Sequence, residues 1–152
     1  MRWTARTVAT LEARRARVLS ELHPELRGKV ERLMAQLGDR VAPWEGYRDE
    51  AGQAAAFRNG VSSARWLQSP HNYRPSFACD LVLHPAHVKL RPHRDDKDMP
   101  DLWDDATPEA VQVWLDLEGA AKTLGLERVR LKGGRPDLPH VQLPGWRSRV
   151  PA

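Results

Sequence analysis

One cysteine in 152 residues, Cys79, excludes an intramolecular disulfide and fits a reducing compartment. No run of about 20 apolar residues occurs, so no transmembrane helix is expected. The start Met-Arg-Trp-Thr-Ala-Arg leads into Glu12, Arg14, Arg15 and Arg17 rather than an apolar stretch. No signal peptide is expected from it, and the chain reads as a soluble cytoplasmic product. There is no internal repeat and no linker-like segment, which leaves one domain over residues 1–152. Basic residues do not interleave with aromatics as they do in nucleic-acid modules, so a nucleic-acid partner is not expected. Lys and Arg number 24 against 20 Asp and Glu, a net charge of +4. That excess suits a solvated surface with scattered arginines, or weak attraction to an anionic polymer.

The apolar spacing outlines the elements. Leu11, Val18, Leu19 and Leu22 mark one face of a helix over 7–22, and His23-Pro24 interrupts it. Pro24 opens a second helix to about Leu37, with Leu26, Val30, Leu33 and Leu37 as its buried stripe and Gly38 as its end. Arg40 to Tyr47 reads as a strand interrupted by Pro43. Asp49 caps a short helix through Gln53 to Phe57, ended by Asn59-Gly60. Residues 61–76 read as a long loop, and such loops in compact domains are usually functional. Phe77 to Leu83 reads as a buried strand. Residues 84–106 read as irregular. Thr107-Pro108-Glu109 starts a helix that runs to about Leu124. Arg128 to Leu131 and His140 to Leu143 could each form a strand, with a turn at Gly133-Gly134. The mixture gives an α+β fold with a small antiparallel sheet and several helices.

Four residues carry the chemistry. Asp80 lies in the middle of an apolar strand, where a carboxylate is costly unless paired or metal-bound. Alternation puts it opposite Cys79, so the thiol packs while the carboxylate faces elsewhere. A buried Asp paired with an arginine would look the same in sequence. His71 stands in the loop before this strand, and His140 follows Asp137-Leu138-Pro139. Taken alone, His71 could be polar surface and Asp137 a turn residue. Together, two imidazoles and a carboxylate can hold one metal, with a second carboxylate left over as a base. Three protein ligands and an open fourth position are the arrangement of a catalytic zinc. A rival ligand set, His84, His87, His93 and Asp95, sits in a polar loop without a strand to fix it. His23 reads as an ordinary residue at a helix junction.

The series Ser69-x-His71-Asn72-Tyr73, Pro75-Ser76-x-Ala78-x-Asp80 and Asp137-x-Pro139-His140 resembles the zinc D-alanyl-D-alanine carboxypeptidase and L-alanyl-D-glutamate endopeptidase family, to which many phage endolysins belong. Gly46-Tyr47-Arg48 with Gln53 is similar to the family's G-Y-R segment and the helix it opens. His23-Pro24-Glu25-Leu26 and Gly125-Leu126-Glu127 also resemble family segments, so the likeness runs over most of the chain. The resemblance implies a hedgehog/DD-peptidase-like fold and Zn2+ held by His71, Asp80 and His140. It implies Asp137 as general base and Arg48 as partner of the scissile carbonyl or a substrate carboxylate. Ser69 is implied in shaping the histidine loop or touching substrate, and Gln53 in binding substrate. The implied activity is hydrolysis of a peptide bond in peptidoglycan, by a monomer without a separate wall-binding module. The favoured form is an L-alanyl-D-glutamate endopeptidase endolysin, released from the cytoplasm by a holin; a D-alanyl-D-alanine carboxypeptidase is the alternative. A basic binding protein with a structural metal, or none, is the reading outside enzymes. Two departures stand out. The spacer from His71 to Asp80 is two residues longer than the commoner one. The stretch Val129 to Gly134 lacks the tryptophan the family often carries there, so the cleft is expected to differ.

Overall fold

In the computed structural model, residues 2–131, 134 and 137–151 are described, with side chains from Ala5 onward. The chain runs α1 (Arg2–Glu21), α2 (Pro24–Gln36), β1 (Val41–Glu45), α3 (Glu50–Arg58), β2 (Ala78–Leu83), α4 (Pro108–Thr123) and β3 (His140–Gln142). Short 3-10 turns lie at Pro70–Asn72 and Trp146–Arg149. The junction at His23 forms because its Nδ1 accepts the Glu25 N–H at 3.2 Å, capping α2 ahead of Pro24. Its ring stacks on Phe77, which makes it a packing and capping residue. Asp49 caps α3 through the Gly52 N–H at 2.7 Å.

The three strands form one antiparallel sheet in the order β1-β2-β3. β2 is central, so its side chains divide between two covered faces. Cys79, Leu81 and Leu83 join Val41, Val141 and Leu143 in the main core, closed by Leu26, Val30 and Leu33 of α2 and Val113 and Leu117 of α4. Val82 faces the other way and packs with Ala42, Leu11 of α1 and Leu102. Asp80 lies opposite His140 in the β2–β3 register and opposite Glu45 in the β1–β2 register. The alternation expected from sequence therefore holds: Cys79 is fully buried in the core and Asp80 is on the opposite face. The β1–β2 register shifts between Pro43 and Glu45, which leaves Trp44 as the extra residue of a bulge.

Arg128 to Leu131 does not form the strand expected there. Glu127, just before it, pairs with Gln142 as an isolated bridge, and Arg130 makes no more than a single bridge. Arg128 and Arg130 instead reach Glu118 on α4, at 3.0 Å each, which ties the segment to the helix rather than to the sheet. Of the expected Gly133-Gly134 turn, Gly133 lies outside the described residues, as does Pro136.

The polar segment 84–106 is irregular, as its composition suggests, but it is tightly held. Arg91 reaches Asp101 at 2.9 Å and Asp105 at 3.1 Å. The fully buried Asp104 accepts from the N–H groups of Arg91, Ala106 and Thr107, and from the Thr107 hydroxyl at 2.7 Å. Thr107 sits at the N-cap position of α4 but donates its hydroxyl to Asp104 instead of capping. Burial alone would raise the Asp104 pKa; these donors outweigh it and hold the carboxyl at about 2. A depressed carboxyl adds stability above its unfolded value near 3.8, and that stability is lost as pH falls toward 2. The contribution is about 2 kcal/mol. Asp104→Asn is therefore expected to lose about 2 kcal/mol at pH 7, with the difference from wild type shrinking as pH approaches 2. Urea titrations at pH 7 and pH 3 check it, and an equal difference at both would sink the assignment.

Candidate metal centre

The loop after α3 delivers His71 through a set of local bonds. Ser69 opens the 3-10 turn, its Oγ accepting the His71 N–H at 3.2 Å. Asn72 Oδ1 accepts the Leu67 N–H at 3.0 Å and the Ser69 N–H at 3.3 Å. The Arg48 N–H donates to the His71 carbonyl at 2.8 Å, which binds the loop to the Gly46-Tyr47-Arg48 segment. His71 Nδ1 lies 2.7 Å from the Gly46 carbonyl. A carbonyl only accepts, so Nδ1 carries the hydrogen and Nε2 presents its lone pair. Gly46 is needed for close approach: a Cβ there would stand 3.0 Å from Leu22 Cδ2 and 3.3 Å from the Val18 carbonyl. A side chain at this position would displace the same carbonyl that orients His71.

β3 delivers His140. Its Nε2 lies 2.7 Å from Gln142 Oε1, and Gln142 Nε2 donates to Glu127 at 3.0 Å. The Glu127 carboxylate fixes the Gln142 amide, so the amide oxygen faces His140. The hydrogen is therefore on Nε2, and Nδ1 carries the lone pair. Arg128 Nη1 donates to the His140 carbonyl at 2.6 Å and steadies the same strand end.

The two free lone pairs converge on one carboxylate oxygen. Asp80 Oδ1 is 3.2 Å from His71 Nε2 and 3.1 Å from His140 Nδ1. Three acceptors facing one another repel unless a cation sits among them, whether a proton or a metal. Burial pushes the His71 pKa down, but the Asp80 charge and hydrogen bond outweigh it and the pKa rises. The same imidazoles hold the Asp80 carboxyl well below the usual carboxylate range, against its own burial. Ligand atoms about 2.0–2.1 Å from a tetrahedral ion stand about 3.3 Å apart, so the spacing and the donor set both fit a divalent metal. His71, Asp80 and His140 form the only group of three or more His, Cys, Asp or Glu side chains among the described residues whose ligand atoms converge in this way. The rival set stays apart: His84 pairs with Glu12 at 3.2 Å and meets the His87 ring at a 60° tilt, while His93 accepts from the Asp95 N–H in a local turn.

The remaining expected residues surround this group unequally. Asp137 and Arg48 line the same cleft of about 910 Å³ as His71, Asp80 and His140. Among the described residues the Asp137 carboxylate has no hydrogen-bond partner. Burial raises its pKa, and the Asp80 charge adds to the rise against the pull of His140 and Arg128. Arg48 donates from Nε to Glu45 and from Nη1 to Gln53 at 3.1 Å. Ser69 lines the cleft but is nearly buried, with its hydroxyl engaged in the turn. Gln53 is fully buried behind Arg48. Its amide serves Arg48, Asn72, Ser62 and the Ala64 carbonyl, which leaves it no donor or acceptor for another molecule.

Gln142, Glu127, Arg128 and Glu45 were not legible as site residues. For Gln142 a signal exists: His140 and Gln142 are two apart on a strand and must share a face. For the other three, only the folded chain brings the partner close. Gln142→Leu is expected to weaken metal affinity by about 10- to 100-fold without unfolding the chain, since an outer partner that fixes a ligand tautomer is lost. Competition against a chromophoric chelator measures it, and unchanged affinity would refute the role.

No protein-family model matches the chain, and no curated protein matches it in sequence. Among solved structures, it is similar to the crystal structure of the L-Ala D-Glu endopeptidase ChiX of Serratia marcescens. The TM-score is 0.53 at 21% identity, over 91% of this chain and 92% of that one. At this identity the likeness establishes the fold. The chain thus has the α+β fold of that endopeptidase, built around a His71–Asp80–His140 group able to hold a metal ion.

Proposed function

We propose that the protein is a zinc peptidase that hydrolyses a peptide bond in the stem peptide of bacterial peptidoglycan, most specifically an L-alanyl-D-glutamate endopeptidase of the endolysin type. The observation that carries the reading is the convergence of two tautomer-locked imidazoles and one carboxylate in the lining of a cleft. The shared fold with an L-Ala D-Glu endopeptidase supports the substrate class.

His71 Nε2, Asp80 Oδ1 and His140 Nδ1 would hold the zinc. Bound there, zinc supplies Lewis acidity, polarising the scissile carbonyl and making water acidic enough to attack near neutral pH. Asp137 takes the proton from the attacking water and passes it to the leaving amine nitrogen, so the C–N bond breaks to a neutral amine and a carboxylic acid, and the acid then gives its proton to the released amine or to solvent. Its raised pKa suits a group that must both accept and return a proton. Arg48, with Nε and Nη1 committed, has Nη2 left for an oxygen of the substrate. Gln53 positions Arg48, and Ser69 positions His71. The modest excess of basic residues favours approach to an anionic envelope.

No helix among the described residues is long and apolar enough to cross a membrane. An endolysin role places the protein in the cytoplasm until a holin opens the membrane. Purified peptidoglycan is the test. Turbidity should clear, stop with a chelator and return with zinc, and mass spectrometry of the products should show new N-terminal D-Glu. Release of free D-Ala would mark a carboxypeptidase. Absence of any product would leave the binding-protein reading.

A further inference from the structure

The proposed chemistry leaves unused a pair of indoles at the edge of the cleft. Trp44 and Trp103 both line it, with ring centroids 5.3 Å apart at an interplanar angle of 85°. Two separate devices hold them there. Trp44 is the bulged residue of β1, next to Glu45, which lies opposite Asp80 and pairs with Arg48. Bulges beside sites re-aim a side chain. The other flank of Trp44 is covered by Arg14, whose guanidinium lies 3.8 Å from the ring centroid and donates to the Trp44 carbonyl at 2.9 Å. Trp103 sits on the segment pinned by Arg91 and its aspartates, and its N–H donates to Asp101 Oδ1 at 3.0 Å. It is nevertheless 40% exposed. A large indole left partly in water on a segment held by ion pairs, and lining a cleft, is shaped for a flat apolar ligand face.

We propose that Trp103, seated on Trp44, is a pyranose-stacking platform that binds the glycan strand adjoining the stem peptide. This rests on the peptidoglycan reading above. Stem-peptide residues are small or charged, whereas the axial C–H face of an N-acetylated hexose matches an indole in size and polarity. Trp44 is one residue along β1 from Glu45, which lies opposite Asp80, and both indoles line the cleft that holds the His–Asp–His group, so a sugar stacked there can remain covalently linked to a peptide over that group.

Two substrates test it with the whole protein: a disaccharide-peptide released from peptidoglycan and the same peptide without sugar. Trp103→Ala should raise KM for the disaccharide-peptide about three- to tenfold, the range of one aromatic contact, and leave the sugar-free peptide unchanged. Trp103→Phe should restore part of the loss. An equal loss on both substrates would mean the indole touches peptide, and no loss would mean it touches nothing; either overturns the proposal. A binding arm separates this from failure of the peptidase reading. Titration with a β-1,4-linked N-acetylglucosamine oligomer should shift one indole N–H resonance that is missing in Trp103→Ala. If neither substrate is cleaved but this shift appears, the platform stands and the peptidase reading falls; no shift overturns the platform.

Discussion

Replacing Asp80 by alanine is expected to abolish metal binding and take activity below detection. Asp80 Oδ1 is the point on which both histidine lone pairs converge, at 3.2 and 3.1 Å. Without it the site keeps two neutral nitrogens and loses its one anionic ligand, so a divalent ion would be held by two imidazoles with no anionic ligand to offset its charge. His71 and His140 are both nearly buried, which makes that imbalance costly. Asp80→Asn is the companion variant, because it keeps the volume and removes the charge. Metal content after dialysis, by atomic absorption, should fall from one ion per chain to none in both variants. Far-UV circular dichroism should stay native, since the sheet faces around Asp80 are covered by Val82, Ala42 and the main core. One bound ion retained by a folded Asp80→Ala protein would overturn the ligand set.

The sequence made some of this visible for physical reasons and hid the rest. β2 could be read because a carboxylate amid Phe77, Cys79, Leu81, Val82 and Leu83 conflicts with its surroundings, and such conflicts mark function. The side on which Asp80 faces followed from the two-residue period alone. α2 and α4 could be read because their apolar spacing and first-turn prolines agree. Arg128 to Leu131 misled because alternating Val129 and Leu131 have strand-like spacing, while the deciding contacts, to Glu118, come from a helix ten residues upstream of Arg128. Gln53 is a similar case. Its motif marked it for the site, but burial and four hydrogen bonds turn it into the support of Arg48. The tautomers of His71 and His140 were beyond sequence reasoning, because they depend on a carbonyl 25 residues away and on the Gln142–Glu127 pair. Trp103 gave no sign either, since its placement depends on ion pairs inside an irregular segment.

Asp137→Ala should separate chemistry from metal binding. Asp137 is not among the three converging ligands, and its carboxylate has no hydrogen-bond partner among the described residues. It enters the cleft from the turn that precedes β3, its own N–H fixed on the Val129 carbonyl at 2.9 Å and its carbonyl accepting from the His140 N–H at 3.2 Å. The main chain therefore keeps the carboxylate close to the ion site without making it a ligand. In the proposed mechanism, removing it takes away the acceptor for the water proton and the donor to the leaving nitrogen. Turnover should fall by about 10²- to 10⁴-fold, the range for one positioned acid–base group. The metal content should stay as in the unaltered protein, and KM should change little, because the proton is in flight only in the transition state. Asp137→Glu should recover part of the rate if the longer side chain still reaches the water. The three readings together exclude a purely structural role. A residue that only held the turn would, when lost, change metal content or KM along with turnover. An Asp137→Ala protein with full activity on purified peptidoglycan would remove Asp137 from the mechanism and leave the proton to another group of the cleft.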